Sequence, residues 1–199
     1  MTTWTFLLLF CLYLNEPFAG TAAQAEMVSS SRMPAWLMAG HDAQRTGRSE
    51  CRGTRTGRLR WIYPGSFGSV VVDVHGTIYA TSSNALLAFN ASGEVKWMYA
   101  KEGYKIWPNS VIGSEGVICV AYRENDANRN EIWAFDQNGE LVWDYALDGG
   151  QVNAQSAIGP DGTIYLGSTY GVDFGGVHAL YPSGTSKWNF FPAYDVYSI

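Results

Sequence analysis

The sequence predicts an all-β protein, a β-propeller of four-stranded antiparallel blades, and three observations carry that expectation. Four segments share the spacing Gly-x-x-x-Trp: Gly57–Trp61, Gly93–Trp97, Gly139–Trp143 and Gly184–Trp188. The tryptophans are 36, 46 and 45 residues apart, so the chain repeats one supersecondary unit. Each tryptophan also sits in strict alternation: Leu59/Trp61/Tyr63, Val95/Trp97/Tyr99, Leu141/Trp143/Tyr145 and Ser186/Trp188/Phe190. Period two with mostly polar residues between marks a strand with one wet face.

The other strands of each unit follow in order. Ahead of the last three Gly-x-x-x-Trp segments lie Leu86–Phe89, Ile132–Phe135 and Val177–Leu180, each with an alanine (Ala88, Ala134, Ala179). The intervening turns, Asn90–Gly93, Asp136–Gly139 and Tyr181–Gly184, carry Asn, Asp, Pro, Ser and a closing glycine, which supplies a positive φ. Upstream again come "GTIYATS", "GVICVAY" and "GTIYLGS", entered through Gly76, Gly116 and Gly162. Before these stand "SVVVD" (69–73), "NSVIG" (109–113) and "QSAIG" (155–159). Each unit is therefore four short strands with tight turns at first-to-second and third-to-fourth. A single such sheet cannot cover both faces, so units stack, and radial stacking gives a propeller. The blades fall at about 66–100, 105–146 and 151–191. An orphan outer strand at 57–63 and the start of another strand at 194–199 flank them. Three blades fall short of the roughly four to eight of a closed ring. The expectation is an incomplete propeller, either a piece of a longer one or a part that assembles with other copies.

The first residues read differently. Phe6–Leu14 is an apolar run too short to span a bilayer, and Ala23-Gln24-Ala25 is a small-x-small cleavage signature, so 1–25 reads as a secretory signal. The competing reading is a buried N-terminal strand. No later segment is apolar enough to cross a membrane, and a secreted or periplasmic location follows. Residues 26–56 form an Arg-rich leader. Over 26–60 seven arginines face Glu26, Asp42 and Glu50, whereas 61–199 carries six Lys/Arg against fourteen Asp/Glu. A basic leader on an acidic exported body points to docking on its own domain or plain solvation, not to nucleic acid. Cys51 and Cys119 could pair outside the cytoplasm, but Cys119 alternates with apolar neighbours and reads as a small buried residue.

The run Ala-x-x-x-x-Gly-x-x-x-Trp, at 88–97, 134–143 and 179–188, resembles the tryptophan-docking motif of the pyrroloquinoline-quinone-type (PQQ-like) propeller repeats. "DGTIYLGS" and "FDQNGELVWDY" look like the same family, and "AGHDAQRTGRS" (39–49) is similar to the lead-in of its secreted bacterial members. That family mixes quinone-dependent dehydrogenases with scaffolds, so the resemblance implies fold more firmly than function. The run is one residue shorter than the dehydrogenase motif, which leans toward the scaffold branch. A dehydrogenase would imply PQQ with calcium, a catalytic Asp and an adjacent Cys–Cys pair. No Cys-Cys pair occurs, and no catalytic residue can be assigned. No cofactor is expected outside that alternative.

Other chemistry is sparse. His41, His75 and His178 lack metal-ligand spacing; His75 reads as a turn residue and His178 as packed in a third strand. No nucleophile elbow or phosphate-cradling loop occurs. Asp126, Asn128 and Asn130 match the opening ligands of a calcium loop, but Glu131 stands where Gly is required and Gln137 where the closing Glu belongs. A solvated polar loop is the plainer reading. That loop and "TYGVDFGG" (169–176) lengthen the same second-to-third-strand junction. The blade-to-blade connections open on the same face and carry Tyr104, Trp107, Asn153, Tyr194 and Tyr197. Such a face is the default site for a protein partner or further blades. Alternatively, these aromatics plug the mouth between blades. Asn90-Ala91-Ser92 is a glycosylation sequon.

Overall fold

The structure, a computed structural model, describes residues 35–42, 44–49, 57–113, 116–124, 130–147, 152, 156–170 and 174–191. Twelve strands form three sheets in chain order. β1 (Ser69–Val72), β2 (Ile78–Thr81), β3 (Ala85–Phe89) and β4 (Val95–Ala100) make blade one. β5 (Tyr104–Ile112), β6 (Ile118–Glu124), β7 (Asn130–Phe135) and β8 (Leu141–Leu147) make blade two. β9 (Ala157–Ile158), β10 (Ile164–Tyr170), β11 (Phe174–Leu180) and β12 (Ser186–Phe190) make blade three. Every neighbouring pair is antiparallel and every sheet runs in sequence order. The expected all-β propeller of four-stranded blades is therefore the observed architecture. Among the described residues no helix is long and apolar enough to cross a membrane.

Local chemistry explains the hairpins. In the third-to-fourth turns the glycine amide donates to the first turn carbonyl (Gly93 to Asn90, Gly139 to Asp136, Gly184 to Tyr181). These glycines hold φ of 89°, 87° and 83°, the left-handed region a hairpin of this length needs. Asn90 and Asp136 each accept two further backbone amides on Oδ1, which fixes the turn from its first residue. Three residues after the turn glycine each outer strand bulges. The register slips between Ala88 and Phe89, between Ala134 and Phe135, and between Ala179 and Leu180. The bulge raises local twist and re-aims the residue beside it. In all three sheets that residue is the tryptophan, paired with the motif alanine.

Burial grades outward along each blade. β2, β3 and β7 are buried throughout, whereas β4 and most of β8 alternate between exposed and half-buried. One core lies between blades one and two: Val71, Tyr79 and Leu86 meet Ile112, Ile118, Tyr122 and Phe135. A second lies between blades two and three, with Val111, Cys119 and Ile132 against Ile164, Leu166 and Leu180. The inner strands of blades one and two are joined by a 2.7 Å hydrogen bond between the Ser69 and Ser110 hydroxyls.

Two expectations need correction. Residues 57–63 do not form a strand, because no neighbouring strand is present among the described residues to share its hydrogen bonds. Tyr104 and Trp107 do not lie in a connecting loop. They belong to the nine-residue β5, which pairs Tyr104–Ile106 with Tyr122–Glu124 and resumes at Ser110 after an irregularity. The signal segment 1–25, most of the leader's 26–56 and the second flanking strand at 194–199 lie outside the described residues. The described part of the leader, 35–42 and 44–49, docks on its own domain. Trp36 exchanges two backbone hydrogen bonds with Val72, the Ile112 amide donates to the Leu37 carbonyl, and Met38 is buried in the second core. The leader thus crosses the inner strands of blades one and two.

Candidate functional site: the indole docks and the connection face

The motif residues come together between blades, not within them. Trp97 of β4 lies over Gly139 in the turn of blade two, and Trp143 of β8 lies over Gly184 in the turn of blade three. A Cβ on either glycine would fall 2.7 Å or 2.4 Å from the indole. Only glycine permits that approach. The indole Nε1–H donates to a turn carbonyl each time: Trp97 to Gln137 at 2.9 Å and Trp143 to Pro182 at 3.0 Å. Trp61 makes the same dock on blade one although its segment is not a strand. It lies over Gly93 and donates to the Ala91 carbonyl at 3.2 Å. Two motif residues take no part in such an indole–glycine dock among the described residues. Gly57 (φ 59°) has nothing within 4 Å of its Cβ position, and Trp188 keeps 44% of its surface exposed.

The connection face carries a second aromatic group. Trp133 of β7 is buried and stacks on Tyr122 at 4.2 Å, with Tyr99 of blade one edge-on at 5.9 Å and Tyr104 at 5.1 Å. The Lys101 ammonium sits 4.4 Å from the Trp133 ring centre and 4.3 Å from that of Tyr104. Such cation–π contacts hold a lysine in place at the cost of its freedom. The Trp133 indole N–H donates to the buried Glu131 carboxylate at 2.7 Å. The Tyr122 hydroxyl has no hydrogen-bond partner among the described residues. Burial raises its pKa, and the nearby Tyr99 adds to the effect. Trp107 is half-buried against the second core, where its indole N–H is buried without a partner among the described residues. Of the expected partner face, Tyr104 and Trp107 are therefore on opposite sides of blade two. Asn153, Tyr194 and Tyr197 lie outside the described residues.

The sequence reading missed Lys101, Glu131 and Trp133, and one signal could have found Trp133. Within the repeated third strand, the position before the motif alanine is Leu87, Trp133 and His178 in turn. A repeat that varies at one inward position marks where the blades differ in content. In blade three that position places His178 Nε2 2.8 Å from the Ser168 hydroxyl. The distance suits a nucleophile–base pair. Both groups are buried, however, and the Phe191 ring stands edge-on to the imidazole at 5.5 Å. The pair ties β10 to β11.

Several other titratable groups among the described residues are buried or hold turns. Burial pushes the Cys119 thiol up to about 12, so it stays protonated and inert; Cys51 lies outside the described residues. His75 is an exposed turn residue whose amide donates to Asp73. Asp73 also accepts from the Thr77 amide and the Tyr79 hydroxyl, and burial followed by the Asp73 charge raises the Tyr79 pKa. Asp42 accepts from the Thr46 hydroxyl and amide and from His41 in the leader turn, all of which lower its pKa. Hydrogen bonds from Lys187 and Thr163 lower that of Asp161. Of the calcium-loop candidates, Asn130 is a fully buried residue of β7, and Asp126 and Asn128 lie outside the described residues. No three His, Cys, Asp or Glu side chains converge among the described residues, and the indoles of Trp61, Trp97 and Trp143 are seated on turns.

No family model matches the chain, and no curated protein matches it. Nineteen chains of solved structure do. One is a protein of unknown function from Bacteroides caccae, with 17% identity over 65% of this chain and a TM-score of 0.49. Another is the Nup133 β-propeller domain of Vanderwaltozyma polyspora, with 8% identity over 74% of this chain and a TM-score of 0.44. The chain spans about half the length of each, 48% and 54%.

Proposed function

We propose that this chain is an exported propeller module of the PQQ-like repeat type that binds or scaffolds a protein partner and carries no catalysis of its own. The observation behind this reading is how the aromatic and reactive side chains are used. Trp97 and Trp143 are wedged between blades, Trp61 is seated on the turn of blade one, and Ser168, His178 and Cys119 are buried. What faces outward on the connection face is Lys101 with the exposed Glu102 and Lys105, the lysine lying over the half-buried Tyr104 and the buried Trp133. Aromatic bodies with a held cation suit a protein surface, since such residues bind with little loss of freedom. Export rests on the apolar run and cleavage signature at 1–25.

The alternative, a quinone-dependent dehydrogenase or a piece of one, shares the repeat but lacks converging ligands among the described residues. Titration with PQQ and calcium, followed by tryptophan fluorescence and dye reduction, separates the two. The expected result is no saturable quenching and no dye reduction. Saturable quenching with dye reduction would establish the enzyme and end the scaffold reading.

A further inference from the structure

The dock between blades one and two is built on a reactive dipeptide. Asn138-Gly139 is the one asparagine–glycine pair in the sequence; every other asparagine is followed by a residue with a side chain. The dock requires that glycine, since a Cβ there would fall 2.7 Å from the Trp97 indole at a φ of 87°. The same missing side chain leaves the Gly139 nitrogen unshielded beside the Asn138 side chain. In the sister turns the residue ahead of the socket glycine is Ser92 or Ser183, which has no amide to lose. Asn138 is exposed to water.

One residue holds both reacting groups back. Asp136 accepts the Gly139 amide on its carbonyl at 3.1 Å and the Asn138 side-chain Nδ2 on its Oδ2 at 3.1 Å. Its Oδ1 accepts the Asn138 and Glu140 amides at 2.8 Å and 2.9 Å. The nitrogen that could attack and the nitrogen that could leave are thus both tied to Asp136. These bonds lie at the surface of a tight turn, so they open locally without unfolding a blade.

We propose that Asn138-Gly139 is a site of spontaneous deamidation, clamped by Asp136, and that its reaction undoes the Trp97 dock. When the turn opens, the Gly139 nitrogen loses its proton to solvent base and attacks Asn138 Cγ. The Cγ–Nδ2 bond breaks and that nitrogen leaves as ammonia, which gives a cyclic imide. Water then adds to either imide carbonyl and opens the ring to aspartate or isoaspartate, with no oxidant or cofactor involved. Isoaspartate carries the main chain through its side-chain carbons and adds a methylene directly ahead of the socket glycine. The Gln137 carbonyl, which holds the Trp97 indole at 2.9 Å, then loses its register with the Gly139 seat. Aspartate keeps the chain length but sets a carboxylate where Nδ2 met the Asp136 carboxylate, and the two repel. The inference does not depend on the proposed function above.

Incubation of the folded full chain at mildly alkaline pH tests it, followed by peptide mapping that separates asparagine, aspartate and isoaspartate. Position 138 should convert faster than the exposed Asn84, which precedes Ala85, and slower than in the same chain held unfolded in urea. Asp136→Ala should quicken conversion about tenfold, the worth of one or two of its hydrogen bonds. The folded-against-urea comparison measures the clamp independently of that variant. Asn138→Ser, which copies the sister turns, should remove the reaction. Aged wild type should unfold at lower urea than fresh protein, and that loss should largely vanish in Trp97→Ala, which has no dock to lose. Conversion at 138 no faster than at Asn84, or as fast folded as in urea, overturns the proposal. So does a folded Asp136→Ala chain with no acceleration, or an ageing loss in Trp97→Ala equal to that of wild type. An unchanged urea midpoint after conversion overturns it equally.

Discussion

Trp143 and Trp188 hold the same place in successive blades, each across from the motif alanine and beside the same bulge. One is seated over a glycine turn with its indole hydrogen-bonded to Pro182; the other is 44% exposed. Sequence and local geometry are shared, so the difference lies entirely in what stands next to them. A blade makes the knob, and only the following blade makes the socket. Stability in such a stack is a sum of units and interfaces, and a residue's worth depends on the interface it reaches.

The socket side should show the largest contrast. Gly184→Ala places a Cβ 2.4 Å from the Trp143 ring at a φ of 83°, combining backbone strain with a clash. Equilibrium urea unfolding should show a loss of about 3–4 kcal/mol. Gly57→Ala, at φ 59° with open space around it, should cost only about 1 kcal/mol. Equal losses at the two sites would mean that backbone conformation, not the seated indole, explains the glycines.

A smaller contrast sits in the first seam, between two buried tyrosines. Tyr79 donates to Asp73, so Tyr79→Phe should cost about 1–2 kcal/mol in the same titration. Tyr122 has no hydroxyl partner among the described residues, and Tyr122→Phe should be neutral within about 0.5 kcal/mol or stabilising. Burial raises both pKa values, so their contribution is complete below the ordinary tyrosine value near 10 and is lost as pH climbs above it. Either phenylalanine variant should therefore soften the alkaline fall in stability. A steeper alkaline fall in either variant would contradict the assigned burial.

Much of this was legible in the sequence because turn chemistry and period-two alternation are local. The glycine turns, the strand order and the half-wet outer strands all follow from residues adjacent in the chain, and the structure has them where expected. The misreadings concern relations across the chain. Tyr104 and Trp107 looked like loop residues because no alternation covers them, yet pairing with the lengthened β6 extends β5 through them. Residues 57–63 alternate like a strand, but a strand also requires a hydrogen-bonding neighbour. The docking of Trp36–Met38 on inner strands carries no periodic signal, since a single short segment settles it through two backbone bonds to Val72 and one from Ile112. At the site, the motif tryptophans were evident, whereas Lys101 became meaningful only once folding brought it to the Trp133 ring.

The most direct measurement is a pair of urea titrations, Trp143→Ala beside Trp188→Ala, at a concentration where the chain is single. Loss of the seated indole should cost about 3 kcal/mol or more, and loss of the exposed one less than about 1 kcal/mol. Equal losses from the two variants would contradict the claim that neighbouring blades are held together by indoles seated on glycine turns.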